Sequence, residues 1–213
     1  INLINQELKT NLTYFQMTET EFLENMQKTL SYRGEPVSIP HETAFLQMSE
    51  MMKSDISVVM SGEGADEIFG GYGRIFRSPH DFYKNNFFLI NKEQPMNHFI
   101  SKYAWFSEED KKNMLNLEFF NNKLFDDYSI EYLDSIFNKH KNISYYEKMF
   151  YVMPKIHLPN MLNRLDRMTM AASVEARVPF LDKKLIEFAF SIPQKYKIAW
   201  KNKFSKYKSI FLN

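Results

Sequence analysis

Apolar residues recur at helical spacing along most of the chain, and the polar residues between them mark starts and stops. Thr18-x-x-Glu21 has the form of a capping box, and Phe22, Leu23, Met26 and Leu30 follow it on one helical face. Arg33-Gly34-Glu35-Pro36 closes that helix. Val37 to Ile39 is a short extended piece, and Ala44, Phe45, Met48, Met51 and Met52 then mark one face of a second helix, a stripe that reads as core. Ile56 to Met60 is a continuous apolar run and the strongest strand candidate in the chain. From Arg74 to about His140 the pattern is helical and aromatic: Ser107-x-x-Asp110 has the form of an N-terminal cap, and Tyr132, Leu133, Ile136 and Phe137 share a face. This region predicts an all-helical support. Ser144-x-x-Glu147 caps a further helix carrying Tyr145, Met149, Phe150, Met153 and Ile156, which Pro154 and Pro159 are expected to kink or interrupt.

One good strand and one weak one cannot make a stable sheet, because an isolated pair of strands is marginal in water. A strand that runs into a glycine loop is nevertheless the β-to-α unit of an open parallel sheet, in which ligands sit at the carboxyl ends of the strands. The pattern therefore predicts a mostly α-helical chain with one or two parallel strands, forming the C-terminal part of a larger α/β domain. The remaining strands are expected in a missing N-terminal part of the parent chain.

Composition narrows the class. At 213 residues, with 44% apolar and 16% aromatic content, the chain can fill one core. Twenty-seven basic against twenty-six acidic side chains leave no global field that would favour nucleic acid or a membrane surface. Cysteine is absent, which excludes a disulfide scaffold and thiol catalysis within the chain. No apolar run approaches the roughly twenty residues that span a bilayer, so the sequence reads as soluble and cytoplasmic.

The candidate chemistry lies between Val58 and Tyr72, VVMSGEGADEIFGGY. Strand, glycine loop and helix start together direct unpaired backbone N–H groups at one spot, which suits phosphate, and Ser61 adds a hydroxyl. Gly62 and Gly64 would let the main chain approach a bulky ligand closely. Glu63, Asp66 and Glu67 would repel a bare phosphate, so an anion site here implies a hard cation such as Mg²⁺ between carboxylate and phosphate oxygens. The plainer reading is a tight turn followed by first-turn acids that suit the helix dipole.

Leu158 to Asp182 reads LPNMLNRLDRMTMAASVEARVPFLD. Met161, Leu162, Leu165, Met168 and Ala172 form an apolar helical face from which Arg164 and Arg167 project elsewhere, while Asp166 falls beside Leu162 and Thr169. Glu175 and Arg177 lie in a loop before Pro179, and Asp182 can cap the helix carrying Leu185, Ile186 and Ala189. Taken alone, these charges read as a buried salt-bridge cluster tying loop to helix. Lys195, Lys197, Lys201, Lys203, Lys206 and Lys208 crowd fourteen residues and read as a solvated tail. The five histidines are scattered without metal-ligand spacing.

The first of these stretches resembles the SGEGxDExFGGY segment of the glutamine-hydrolysing asparagine synthetase family, and the second resembles that family's LPxxLLxRxDRMSMAxSVEARVPFLD signature. Together they cover about forty residues, in the family's order. The resemblance implies an adenine-nucleotide alpha-hydrolase-like α/β parent domain that binds ATP and Mg²⁺. It further implies that the enzyme adenylates aspartate to β-aspartyl-AMP, then transfers ammonia, drawn from glutamine, to give asparagine, AMP and pyrophosphate. Carried onto this sequence, Ser61, Gly62 and Gly64 would bind ATP, and Asp66 would help hold the metal. Glu63 would act in forming and using the intermediate. Lys206, in the Lys206-Tyr207 context, would stabilise phosphate charge. Asp166, Arg167, Glu175, Arg177 and Asp182 would support the structure or the substrate pocket. The SGGxDS pyrophosphate loop and the glutaminase domain with its cysteine nucleophile are absent from these 213 residues. The expectation is therefore that this piece alone is inactive and that its partners are small-molecule substrates and the missing part of its parent, with no nucleic acid, no membrane and a homo-oligomer left open. The alternatives are a related amide-forming enzyme of the β-lactam synthetase kind and a non-catalytic helical interaction module.

Overall fold

The computed structural model describes residues 2–37, 39–86, 94–114, 124–200 and 207–209. In chain order the elements are α1 (Asn2–Leu8), α2 (Glu19–Arg33), α3 (His41–Met52), β1 (Val58–Met60), α4 (Ala65–Phe69), α5 (Gly73–Phe76), α6 (Ser78–Asn86) and α7 (Pro95–Tyr103). They continue as α8 (Glu108–Met114), α9 (Leu124–Phe137), α10 (Tyr145–Ile156), α11 (Leu158–Ala171), β2 (Glu175–Arg177), a 3₁₀ turn (Pro179–Leu181), α12 (Lys183–Ser191), α13 (Gln194–Lys197), β3 (Ile198–Trp200) and β4 (Tyr207–Ser209). Two compact units share the chain, one made of residues 1–61 and 162–177, the other of residues 62–161 and 178–213.

In the first unit β1 lies parallel to β2, with Val58 opposite Glu175, Val59 opposite Ala176 and Met60 opposite Arg177. The ladder is extended at one end by Glu175 N–H donating to Ser57 O and at the other by Ser61 N–H donating to Arg177 O, both 2.8 Å. This corrects two expectations. Val37 and Ile39 are in no strand, since Pro36 and Pro40 flank them and supply no ladder donor. Glu175 to Arg177, expected in a loop, is the strand that pairs with β1.

Helix α2 starts as the sequence predicts at Thr18, whose hydroxyl accepts from Glu21 N–H while the Glu21 carboxylate accepts from Thr18 N–H at 2.7 Å, and α3 follows from Pro40 without a side-chain cap. Their packing face differs from the expected one. Asn25, Thr29 and Arg33 of α2, and Glu42, Thr43, Leu46 and Ser49 of α3, are the buried positions, whereas Leu23, Leu30 and Met51 are exposed. Asn25 donates to Gln47 at 3.3 Å, and Arg33 and Glu42 form a buried ion pair. Specific polar pairing decides this face, which an apolar count cannot see.

The second unit holds an aromatic core of Phe76, Phe82, Phe99, Ile136, Phe137, Tyr145, Met149, Phe150, Val152, Met153 and Ile198. The caps at Ser107 and Ser144 both form, each hydroxyl accepting from the N–H three residues on (3.0 and 3.2 Å). Helix α10 runs through Pro154, so the expected break falls later, at His157. A smaller cluster of Ile68, Phe69 and Ala189 packs with Phe180, Leu185 and Ile192. It seats α4 and α12 together through the apolar residues that follow Asp182. Among the described residues no helix is long and apolar enough to cross a membrane.

Candidate functional site

Residues Gly62 to Tyr72 form a loop, the five-residue helix α4 and a return turn, all within the second unit. The two loop glycines do different work. A Cβ built on Gly62 would meet nothing within 4 Å, and the residue is exposed, so the main chain here is open to an incoming ligand. Gly64 is buried, its φ of +91° is left-handed, and an added Cβ would lie 2.7 Å from Leu181 Cγ. The missing side chain at Gly64 makes room for Leu181, the residue before Asp182. Asp182 caps α12 as expected, its Oδ1 accepting from Lys184 N–H at 2.9 Å and Leu185 N–H at 3.2 Å.

The three acids differ in burial. Glu63 and Asp66 are half-buried, while Glu67 is fully enclosed. Glu67 Oε1 accepts from the Tyr72 hydroxyl at 2.7 Å, and Glu67 Oε2 is buried without a hydrogen-bond partner. Burial raises the pKa of Glu67 above the usual carboxylate range, and the charges of Asp66 and Glu63 push the same way against the Tyr72 bond. Burial also raises Asp66. The Tyr72 phenol is raised by its own burial and by its bond to Glu67, so it stays a donor. Behind this pair, Tyr103 and the His157 Nδ1 are 3.2 Å apart, and the Tyr72 and His157 rings meet edge to face at 5.1 Å. Glu67, read in the sequence only as one of three acids, and Tyr72, given no role there, are bonded to each other at the centre of this turn. The signal available in sequence was an acid and a tyrosine five residues apart around a double glycine.

The other expected site residues are placed less compactly. Ser61 ends the first unit, half-buried. Asp166 is exposed, and Arg167 is exposed with its guanidinium donating to Arg33 O and to Asn163 Oδ1, the latter at 3.1 Å. Arg177 and Glu175 pair at 2.8 Å, with side chains 62% and 55% exposed, which corrects the expected buried cluster. The buried cation on α11 is Arg164, set over the Phe45 ring at 5.8 Å. Lys206 lies outside the described residues. Lys197, expected in a solvated tail, is buried. Its ammonium sits 3.7 Å from the Phe150 ring centroid and donates to Ala189 O at 3.1 Å.

No group of three or more His, Cys, Asp and Glu with the makings of a metal site occurs among the described residues. One or two carboxylates beside an open main-chain approach suit a magnesium ion that arrives already bound to phosphates, since Mg²⁺ in such sites takes few protein ligands. Asp66 and Gly62 meet that description, and Glu63 stands between them in the chain.

The family model for asparagine synthase matches residues 2–209, and the chain belongs to that family. Asparagine synthetase [glutamine-hydrolyzing] 3 of Bacillus subtilis (strain 168) is 27% identical over 184 residues, covering 85% of this chain and 28% of the relative. Asparagine synthetase [glutamine-hydrolyzing] 1 of the same organism is 29% identical over 215 residues, covering 88% and 32%. A putative asparagine synthetase [glutamine-hydrolyzing] 1 of Methanocaldococcus jannaschii is 32% identical over 152 residues, covering 71% and 17%. The chain thus spans about a third or less of the length of these relatives. No solved structure matches.

Proposed function

We propose that this chain is the C-terminal part of the synthetase domain of an ATP-dependent amidotransferase that converts aspartate to asparagine, with ammonia drawn from glutamine. The observation that carries the reading is the Gly62–Asp66 stretch, open at Gly62 and acid-lined at Glu63 and Asp66, within a chain that matches the family over residues 2–209. Attack of one anion on another needs charge neutralisation and positioning at the phosphate, and the metal supplies the former when bound. Asp66 is the residue that would hold Mg²⁺. Ser61, Gly62 and the backbone at Gly64 would contact the nucleotide. Glu63, half-buried in the loop, would take a proton from the incoming ammonia as the amide forms. Lys206 would neutralise phosphate charge during adenylation. Asp166, Arg167, Glu175, Arg177 and Asp182 would support the substrate pocket or the fold around it, Asp182 through its helix cap.

The test is the pair of substitutions Glu63→Gln and Asp66→Asn in the enzyme that contains this chain. Aspartate-dependent pyrophosphate release should fall by 100-fold or more, on the order of general-base and charge-stabilising contributions, with the folded circular dichroism spectrum retained. Unchanged turnover in both variants would leave a helical interaction module as the better account.

A further inference from the structure

The turn after α4 explains how a half-buried carboxylate keeps one direction. Both Gly70 N–H and Gly71 N–H donate to Asp66 O at 2.9 Å, folding the chain back over the residue. The Asp66 side chain then lies against the Cα of Gly71: a Cβ built there would sit 2.5 Å from Asp66 Cγ and 2.9 Å from Asp66 Cβ. Real Cβ atoms do not approach so closely, so the absent side chain at position 71 is what admits this carboxylate orientation. The next residue, Tyr72, holds the far side of the turn through its 2.7 Å bond to the enclosed Glu67, which neighbours Asp66 on α4.

We propose that Gly71 and Tyr72 are positioning residues for Asp66. Gly71 provides the space in which the carboxylate rests, and Tyr72, latched to Glu67, fixes the distance between that space and the helix. Neither touches substrate; they act through Asp66. The proposal rests on reading Asp66 as the metal-holding residue, and its test separates the two.

Gly71 has no left-handed φ, so alanine is acceptable to the backbone and its methyl group displaces mainly the Asp66 side chain. In the 213-residue chain with labelled aspartate, three-bond couplings should report one Asp66 χ1 rotamer, replaced by another in Gly71→Ala. Tyr72→Phe removes one hydroxyl and keeps the ring, and should average the Asp66 couplings without changing the far-ultraviolet circular dichroism. In parallel, Mn²⁺ affinity in the presence of ATP, read by water-proton relaxation, should fall about tenfold in Gly71→Ala, as outer-shell changes do, and at least as far in Asp66→Asn. Asp66 couplings identical to wild type in both Gly71→Ala and Tyr72→Phe would overturn the positioning role. Altered couplings with Mn²⁺ affinity untouched in Gly71→Ala and in Asp66→Asn would uphold the rotamer control and overturn the reading of Asp66 as metal ligand.

Discussion

Gly62 and Gly64 stand two residues apart and should respond oppositely to the same change. Gly64→Ala forces a methyl group towards Leu181 at a left-handed φ and should lower stability by roughly 1–3 kcal/mol, seen as a fall in Tm. Gly62→Ala adds its methyl group to open space and should leave the unfolding free energy within about 0.5 kcal/mol of wild type while weakening nucleotide binding. A second residue carries a pH dependence. Desolvation lowers the Lys197 pKa from 10.5 to about 8. Below pH 8 both folded and unfolded chains carry the ammonium, and the burial cost is present in full. Between pH 8 and 10.5 the folded chain has released a proton that the unfolded chain keeps, so stability climbs, by at most roughly 3 kcal/mol. The contact with Phe150, of the kind worth ~2 kcal/mol when desolvated, favours the charged form and reduces that rise. Denaturant midpoints should therefore increase from pH 8 to pH 10, and Lys197→Met should remove the increase.

At the scale of elements, the first unit is held by a polar seam. Glu42 is wholly buried against Arg33, and Glu42→Ala should cost about 3 kcal/mol, since the guanidinium then keeps only its 3.2 Å pairing with the half-exposed Glu35. The double change Arg33→Met with Glu42→Leu should recover most of it in urea titrations, since apolar replacement of a buried pair is often neutral. That seam shows what a sequence does and does not disclose. Caps at Thr18, Ser107, Ser144 and Asp182 were legible because each is a local bargain between residues two or three apart. The α10 face was legible because a greasy interior makes period and burial coincide. The buried faces of α2 and α3 were not, because Asn25, Thr29, Arg33 and Glu42 are chosen by partners rather than by hydropathy. Strand β2 was hidden too: Glu175-Ala176-Arg177 has no strand composition and is extended only because β1 offers it a ladder. In the candidate site, the loop glycines and Asp66 were legible as a motif. Glu67 with Tyr72, and Leu181 over Gly64, depend on three-dimensional enclosure that no spacing rule encodes.

For the molecule as a whole, a two-stranded parallel pair with Val58 and Met60 exposed is an unusual way to finish a sheet, since parallel strands are normally covered on both faces. The matched region is about a third or less of the length of these relatives. The expected outcome is that the 213-residue chain, supplied with aspartate, ATP and ammonia, yields no asparagine, whereas the polypeptide that contains it does. Steady asparagine production by the isolated chain, measured by amino-acid analysis, would contradict this.

The pairing of residues 58–60 with residues 175–177 also sets a timetable for the ribosome. At ~5–20 residues per second, β1 leaves the tunnel about 6–23 s before β2 can follow. Throughout that interval the edge of β1 that β2 covers is unpaired in the nascent polypeptide. Trigger-factor-like holdases should find Ile56 to Met60 early, and slowing translation over α11 should lengthen their dwell and raise the aggregated fraction.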